Sequence, residues 1–405
     1  MKTSFILVFA LLFCGWQESS FAQMPGGTGI NPDYKDVEFA KVPSTKMPSL
    51  LLDIYLPKGV SAPFPTIVYV HPGGWSGGDK TDVARHVSYL TAAGFALVSI
   101  NYRLSGDTVF PAPLHDCKAA IRWLKANAVR YNLNSNAIGV FGQSAGAHLA
   151  SLVGVTANVK NASSGAITMD LEGSVGGNTQ YSSTVRAVAD FFGPSNLVEF
   201  YKVQTQGSGS NLVGCTIPQC PDKANLASTT TYASRTAPPF LIMHGTADDV
   251  VPFSQSQLFD STLRTVGAAS TFIPVQGATH GSDPAWTKPD VQTTLINFFT
   301  QHLKNLTSVA IQEIAANNLL LSVSPNPAQE LIVVKFTLTT SERISLKLFN
   351  ALGQEIAHIF DETLTAGEHE KSLDISRWSL VSGAYFLQLN TQYSMLSATP
   401  LQVIR

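Results

Sequence analysis

The chain of 405 residues is short of cysteine, of charge and of long apolar runs. With only four cysteines, no Cys-x-x-Cys and no pair of histidines at ligand spacing, the sequence predicts no metal site. Charged residues make up 13%, and Lys+Arg 26 against Asp+Glu 28 leaves a net charge of −2, without the basic excess of a nucleic-acid binder. Nucleic acid is therefore not an expected partner. No apolar stretch reaches the ~20 residues a membrane-spanning helix needs, so no integral membrane segment is predicted. The 30 glycines and 22 prolines are close to ordinary usage, which excludes a collagen-like or broadly disordered chain. The length allows two or three domains at ~150 residues each.

The beginning of the chain is an address. Lys2 precedes the apolar run 5–13, and a polar stretch then ends at Ser20-Phe21-Ala22, which together form the pattern of a secretory signal peptide over 1–22. Phe13 stands where a lipoprotein site would need a small residue, so Cys14 is not read as a lipid anchor. Export leaves Cys117, Cys215 and Cys220. In an oxidising compartment Cys215 and Cys220 are predicted to pair, closing a short loop worth on the order of 2 kcal/mol. Cys117 sits in a helical apolar pattern and is read as a buried small hydrophobe.

Runs at 66–70, 96–100, 137–141, 187–192 and 240–243 are almost wholly apolar, the signature of strands buried on both faces of a parallel sheet. Helical patterns fall between them at 82–93, 115–131, 144–156 and 253–266, so the region 34–305 is predicted to be an α/β domain. Residues 23–33 form an N-terminal segment and 306–318 a linker. From 319 to 405 the pattern changes to period two: Ile344, Leu346 and Leu348 alternate with Ser345 and Lys347, and Tyr385, Leu387 and Leu389 with Phe386 and Gln388. With turns at Asn350-Ala351-Leu352-Gly353 and Thr365-Ala366-Gly367, this predicts a small antiparallel β-sandwich. Pro400 places the last strand at an edge, because proline removes a ladder donor.

Chemistry concentrates in the first domain. Gly142-Gln143-Ser144-Ala145-Gly146 follows a predicted strand and opens a predicted helix, the context of a nucleophile elbow. The glycines let strand and helix approach while Ser144 is held exposed in a strained turn. A chance Gly-x-Ser-x-Gly is expected roughly 0.1 times in such a chain, so the motif needs partners. A serine hydroxyl is a weak nucleophile and requires a base, and the base requires a carboxylate to orient it. Both follow in order: Asp248 or Asp249 after the strand at 240–243, then His280 in Gly277-Ala278-Thr279-His280-Gly281. His71-Pro72-Gly73-Gly74-Trp75, at the end of the strand 66–70, offers backbone N–H groups for an oxyanion. Pro72 has none to give, so Gly73, Gly74 and Ala145 are the candidate donors. Losing one such donor typically costs about 3 to 4 kcal/mol of transition-state stabilisation. His148, one turn after Ser144, is read as structural, His71 and His244 as loop organisers, Asp190 as structural, and Asp79 with Lys80 as a solvated or loop-pinning pair.

His71-Pro72-Gly73-Gly74-Trp75 with Gly78-Asp79-Lys80, Asn101-Tyr102-Arg103-Leu104, the elbow, and His244-Gly245-x-x-Asp248-x-x-Val251-Pro252 together resemble a secreted α/β-hydrolase of the carboxylesterase and lipase-like group, which includes hormone-sensitive-lipase-like and feruloyl or acetylxylan esterases. The resemblance implies an α/β-hydrolase fold, no cofactor, an ester substrate that is small or linked to polysaccharide, and a triad of Ser144, Asp248 and His280. It is this resemblance that favours Asp248 over Asp249. Pro72 departs from the glycine of many relatives.

The last domain, with Val323-Ser324-Pro325-Asn326-Pro327, Leu348-Phe349-Asn350-Ala351-Leu352-Gly353, Ser382-Gly383-Ala384-Tyr385-Phe386-Leu387 and a terminal Arg405, resembles a type IX secretion sorting domain. That implies an encounter with the type IX machinery and export through the periplasm of a diderm bacterium to the surface or beyond, with the domain usually removed afterwards. A carbohydrate-binding or adhesive sandwich is the alternative. The expected whole is a monomeric secreted carboxylester hydrolase. One alternative is a prolyl-oligopeptidase-like peptidase, which too few residues ahead of a first strand at 66–70 disfavour. The other is an inactive adhesion or glycan-binding protein, against which the intact Ser, Asp and His argue.

Overall fold

The computed structural model describes residues 30–44, 46–203, 208–281, 284–304, 321–338, 341–350, 354–391 and 395–404. The signal peptide, residues 23–29, the linker 306–318 with residues 319–320, the turn residues Ala351, Leu352 and Gly353, and the terminal Arg405 lie outside the described residues. The chain divides into two units at Lys304 and Asn305.

The strands of the first unit are β1 (Tyr34–Lys41), β2 (Ser49–Tyr55), β3 (Phe64–Val70), β4 (Ala96–Ile100), β5 (Leu133–Gln143), β6 (Ala162–Ser164), β7 (Ile167–Met169), β8 (Val188–Phe191), β9 (Phe240–Gly245) and β10 (Ser270–Val275). Its α-helices are α1 (Ala84–Ala92), α2 (Ala112–Asn127), α3 (Ala145–Val155), α4 (Leu197–Val203), α5 (Ser208–Val213), α6 (Pro221–Leu226), α7 (Ser254–Thr265) and α8 (Pro289–Phe299). Eight strands make one sheet in the order β1-β2-β4-β3-β5-β8-β9-β10. From β4 to β10 every pairing is parallel.

Burial explains the composition. All five residues of β4 are buried, as are all of β8 and β9, because helices cover both faces of the sheet. Helix α3 is buried along its whole length, and its sequence has no polar face: Ala, Gly, Leu and Val surround two satisfied polar residues, His148 and Ser151, and the Ser151 hydroxyl donates to Asp190 at 2.6 Å. Helix α2 buries Leu114, Cys117, Ile121 and Leu124 at spacings of three and four, so Cys117 belongs to an apolar face.

The sheet does not start at 66–70. β1 and β2 precede it and pair antiparallel, and β2 also pairs antiparallel with β4. β1 carries Lys35, Asp36, Glu38 and Lys41 and two register shifts, features that protect an edge from pairing with other chains and that hide its strand character in the sequence. Two long stretches between core elements, 156–184 and 197–234, carry elements of their own. The hairpin β6–β7 belongs to the first, whose Glu172 is gripped by Lys118 and Arg122 of α2 at 3.0 Å each. Helices α4 to α6 belong to the second, and there Cys215 and Cys220 form a disulfide.

The second unit holds β11 (Ser322–Ser324), β12 (Leu331–Leu338), β13 (Glu342–Asn350), β14 (Glu355–Leu364), β15 (Gly367–Asp374), β16 (Gly383–Thr391) and β17 (Met395–Val403). They form two sheets, β11-β12-β15 and β14-β13-β16-β17, with antiparallel pairing throughout each. Ile344, Leu346, Leu348, Leu387 and Leu389 are buried in its core, the inward half of the period-two pattern. β17, which contains Pro400, is an edge strand.

Candidate active site

In an open α/β sheet the loops at the carboxyl ends of neighbouring strands separate where the strand order reverses, and a crevice opens there. Here β4 lies on one side of β3 and β5 on the other. The reversal sets the His71 loop after β3 beside the Ser144 turn after β5, with Val70 and Gly142 as register partners.

Ser144 adopts φ 53° and ψ −124°, a conformation L-residues rarely take. Its N–H donates to the Phe191 carbonyl at 2.9 Å, and its carbonyl accepts the first helical hydrogen bond from the His148 N–H at 3.1 Å. The side chain is thereby presented at the apex of the turn. A Cβ on Gly142 would collide with the Gly146 carbonyl, and one on Gly146 with the carbonyl oxygens of Val70 and His71. These are backbone contacts that no rotamer change relieves. Gly146→Ala is therefore expected to cost about 3 kcal/mol of stability, read from the urea midpoint; an unchanged midpoint would refute the close approach.

The Ser144 hydroxyl donates to His280 Nε2 at 2.9 Å, and His280 Nδ1–H donates to Asp248 Oδ2 at 2.8 Å. The carboxylate dictates this tautomer, since it can only accept. Phe192, edge-on to the imidazole at 4.8 Å, backs His280, and Trp286 packs on Phe192 at 4.5 Å. The Trp286 Nε1–H ties this pair to the Thr279 carbonyl at 3.0 Å.

Asp248 is fully enclosed and uses both oxygens. Oδ1 accepts from the Val250 and Val251 amides at 2.9 and 2.8 Å, and Oδ2 accepts from His280 and, at 3.2 Å, from His244 Nε2. Burial alone would raise its carboxyl, but the hydrogen bonds from His244, His280 and the Val250 amide outweigh that and hold it well below the usual carboxylate range. Asp249, the other acid considered, is exposed.

The loop after β3 turns through positive φ at Gly73 (125°), Gly74 (57°) and Trp75 (60°). Such a turn aims successive N–H groups into one concavity. The Gly73 carbonyl accepts from Ser76 and Gly77 at 3.1 and 3.0 Å, which closes the turn. Ala145 is the first residue of α3, so its N–H is one of the helix's orphan donors. The structure brings the two motifs that carry Gly73, Gly74 and Ala145 to the same end of the sheet.

The histidines read as organisers take backbone partners. His71 Nδ1 donates to the Pro72 carbonyl at 2.8 Å, its ring stacks on Tyr102 at 4.2 Å, and burial lowers its pKa. His244 Nε2 meets the Val251 carbonyl at 2.9 Å as well as Asp248, so it orders the loop and the acid together. Lys80 is buried rather than solvated, with Nζ 2.9 Å from Asp53 and 2.7 Å from Asp36, while Asp79 caps the helical turn at Lys80–Val83. That pair pins the loop.

One group of contacts had no signal in the sequence. Gln143 Oε1 accepts from Tyr69 Oη at 3.0 Å, Arg85 Nη2 at 2.9 Å and His86 Nε2 at 3.3 Å. The same Arg85 donates through Nη1 to the Gly281 carbonyl at 3.1 Å. The residue before the nucleophile is thus joined to the residue after the base through a side chain on α1.

Among the described residues no group of three or more His, Cys, Asp or Glu is placed to hold a metal ion, and no helix is long and apolar enough to cross a membrane.

Residues 52–263 match the BD-FAE family, and residues 322–399 match the secretion system C-terminal sorting domain. Among curated proteins, the chain is 32% identical over 243 residues to esterase LipC of Mycobacterium tuberculosis, covering 58% of each chain. It is 30% identical over 228 residues to esterase LipQ of the same organism, covering 55% of this chain and 51% of that one. The chain therefore spans little more than half the length of these relatives. Among solved structures it is similar to a truncated carbohydrate esterase from gut microbiota, at 32% identity and a TM-score of 0.64 over 69% of this chain and all of that one. It also resembles a bifunctional GH43-CE protein of Bacteroides eggerthii, at 36% identity and a TM-score of 0.62 over 67% of this chain and 35% of that one.

Proposed function

From the chain's place in the BD-FAE family, to which it belongs, and from the geometry above, we propose that it is a secreted serine hydrolase of carboxylic esters. The observation that carries this reading is the unbroken relay from the Ser144 hydroxyl through His280 to Asp248. Ser144 Oγ attacks the ester carbonyl while its proton passes to His280 Nε2. The Gly73, Gly74 and Ala145 amides hold the negative charge that develops on the carbonyl oxygen. As the tetrahedral intermediate collapses, His280 returns the proton to the departing alcohol. Water then attacks the acyl-enzyme with His280 as base, the acid product leaves, and Ser144 regains its proton. Asp248 keeps Nδ1–H in place and stabilises the imidazolium in both halves.

The substrate class we favour is an ester linked to carbohydrate, supported by the likeness to the truncated carbohydrate esterase from gut microbiota, at 32% identity over 69% of the chain. The sorting domain at 322–399 is of the kind that directs type IX export to the cell surface or outside, and its partner is the type IX machinery. The relay is complete within one chain, which supports action as a monomer.

A fluorophosphonate probe tests the reading directly. Saturating probe is expected to add one phosphonyl group on the peptide bearing Ser144 and to stop hydrolysis of p-nitrophenyl acetate and acetylated xylan alike. Ester turnover that survives full labelling would overturn it.

A further inference from the structure

Trp75 is the one bulky residue in a turn whose preceding two positions are glycine, and it shares their left-handed backbone at φ 60°. Such a conformation is strained for a large side chain and persists only where the surroundings enforce it. Its carbonyl accepts from the Ser105 amide at 2.7 Å. Its indole is 1% exposed and stands edge-on to the His148 ring, with centroids 5.1 Å apart at 84°. The indole Nε1–H donates to His148 Nδ1 at 3.2 Å.

His148 is equally constrained. Its Nε2–H donates to the Ala227 carbonyl at 2.6 Å, just beyond α6, which fixes both the tautomer and the ring plane. Burial drives its pKa down to about 4, so the ring is neutral and Nδ1 is free to accept. Its backbone N–H meanwhile donates to the carbonyl of Ser144. One residue therefore holds the start of α3, where the Ala145 donor sits, and the turn that carries the Gly73 and Gly74 donors.

Resting on the ester-hydrolase reading, the geometry points to His148 as a positioning residue: by accepting from Trp75 it clamps the Gly73-Gly74-Trp75 turn against the start of α3 and sets the spacing of the two halves of the oxyanion site. The third anchor, Ala227, lies in the insertion between β8 and β9. The same ring therefore couples that insertion to the donors. His148 touches no reacting atom.

Oxygen and sulfur esters separate this role from general packing. A developing oxyanion depends on N–H donors placed for oxygen, whereas the sulfur of a thionoester is larger and a poorer acceptor, so it gains less from them. With the full chain, Trp75→Phe and His148→Leu are each expected to lower kcat/KM for p-nitrophenyl acetate about tenfold to a hundredfold. The thiono analogue should lose less than about threefold, so that the oxygen-to-sulfur preference collapses. His148→Asn, whose Oδ1 can take the place of Nδ1, is expected to stay within about threefold of wild type on both, and the Trp75→Phe/His148→Leu double variant to be no worse than the poorer single. If His148→Leu does not fold, Trp75→Phe and His148→Asn carry the comparison.

Equal losses on both esters, or wild-type behaviour of Trp75→Phe, would overturn the clamp. A wild type active on esters with a dead Ser144→Ala and unaffected clamp variants would remove this inference alone. A wild type inactive on both esters would remove the functional reading and the inference with it.

Discussion

Ser144→Ala is expected to lower kcat for a short p-nitrophenyl ester by about 10⁴- to 10⁶-fold with KM nearly unchanged, because the acyl-enzyme route disappears while binding groups stay. What remains should come from the amides at Gly73, Gly74 and Ala145 acting on attack by water. The backbone at Ser144 makes the companion variant informative. At φ 53° and ψ −124° any side chain with a Cβ is strained, and alanine keeps that Cβ. Ser144→Ala should therefore melt close to wild type. Ser144→Gly relieves the strain and should be more stable by about 1 kcal/mol, although equally inactive. Activity and stability measured on the same three proteins decide the matter. A residual rate above about one hundredth of wild type would remove Ser144 as nucleophile, against the loss expected of a triad serine. A Ser144→Gly no more stable than wild type would remove the argument from strain.

The elements that were legible in the sequence are those with one dominant pattern. β3, β4, β5, β8 and β9 are apolar because two helical layers cover them, and α3 is apolar because it is enclosed on every side. Ser144 was legible because a tight turn needs Gly142 and Gly146 at fixed offsets. Ile344, Leu346 and Leu348 marked their sheet because its two faces differ. What stayed hidden depends on contacts between distant residues. β1 is an edge strand laden with charge, and its pairing with β2 leaves no periodic trace. Lys80 reads as a surface lysine until Asp36 and Asp53 close on it. Arg85 joins Gln143 to Gly281 across separations of 58 and 196 residues, and Trp75 reaches His148 across 73. Local pattern reports burial and turns, whereas hydrogen bonds between loops become visible only once the sheet order sets those loops side by side.

The acid of the triad supplies the second large effect. Asp248→Asn should lower kcat by about 10⁴-fold, whereas Asp249→Asn, at an exposed neighbour, should stay within about threefold. The size follows from four donors converging on one carboxylate: two histidine nitrogens on Oδ2 and two amides on Oδ1. An asparagine has only one oxygen to offer. If its NH₂ faces the histidines, His280 must accept at Nδ1, its proton moves to Nε2, and no lone pair remains to take the Ser144 proton. If the NH₂ faces the Val250 and Val251 amides, donor opposes donor in an enclosed site, and the loop that aligns His280 must shift. Either way the fault lies in orientation and tautomer, so KM should change little. The pH dependence of stability gives an independent check. The folded carboxyl sits below its unfolded value, so its contribution is fully present above the ordinary Asp range near 4 and is lost progressively as the pH falls from there through the lower folded value. The stability gap between wild type and Asp248→Asn should therefore be widest at neutral pH and shrink below about pH 4. A gap that is flat with pH, or a kcat that responds to Asp249→Asn instead, would move the acid's role away from Asp248.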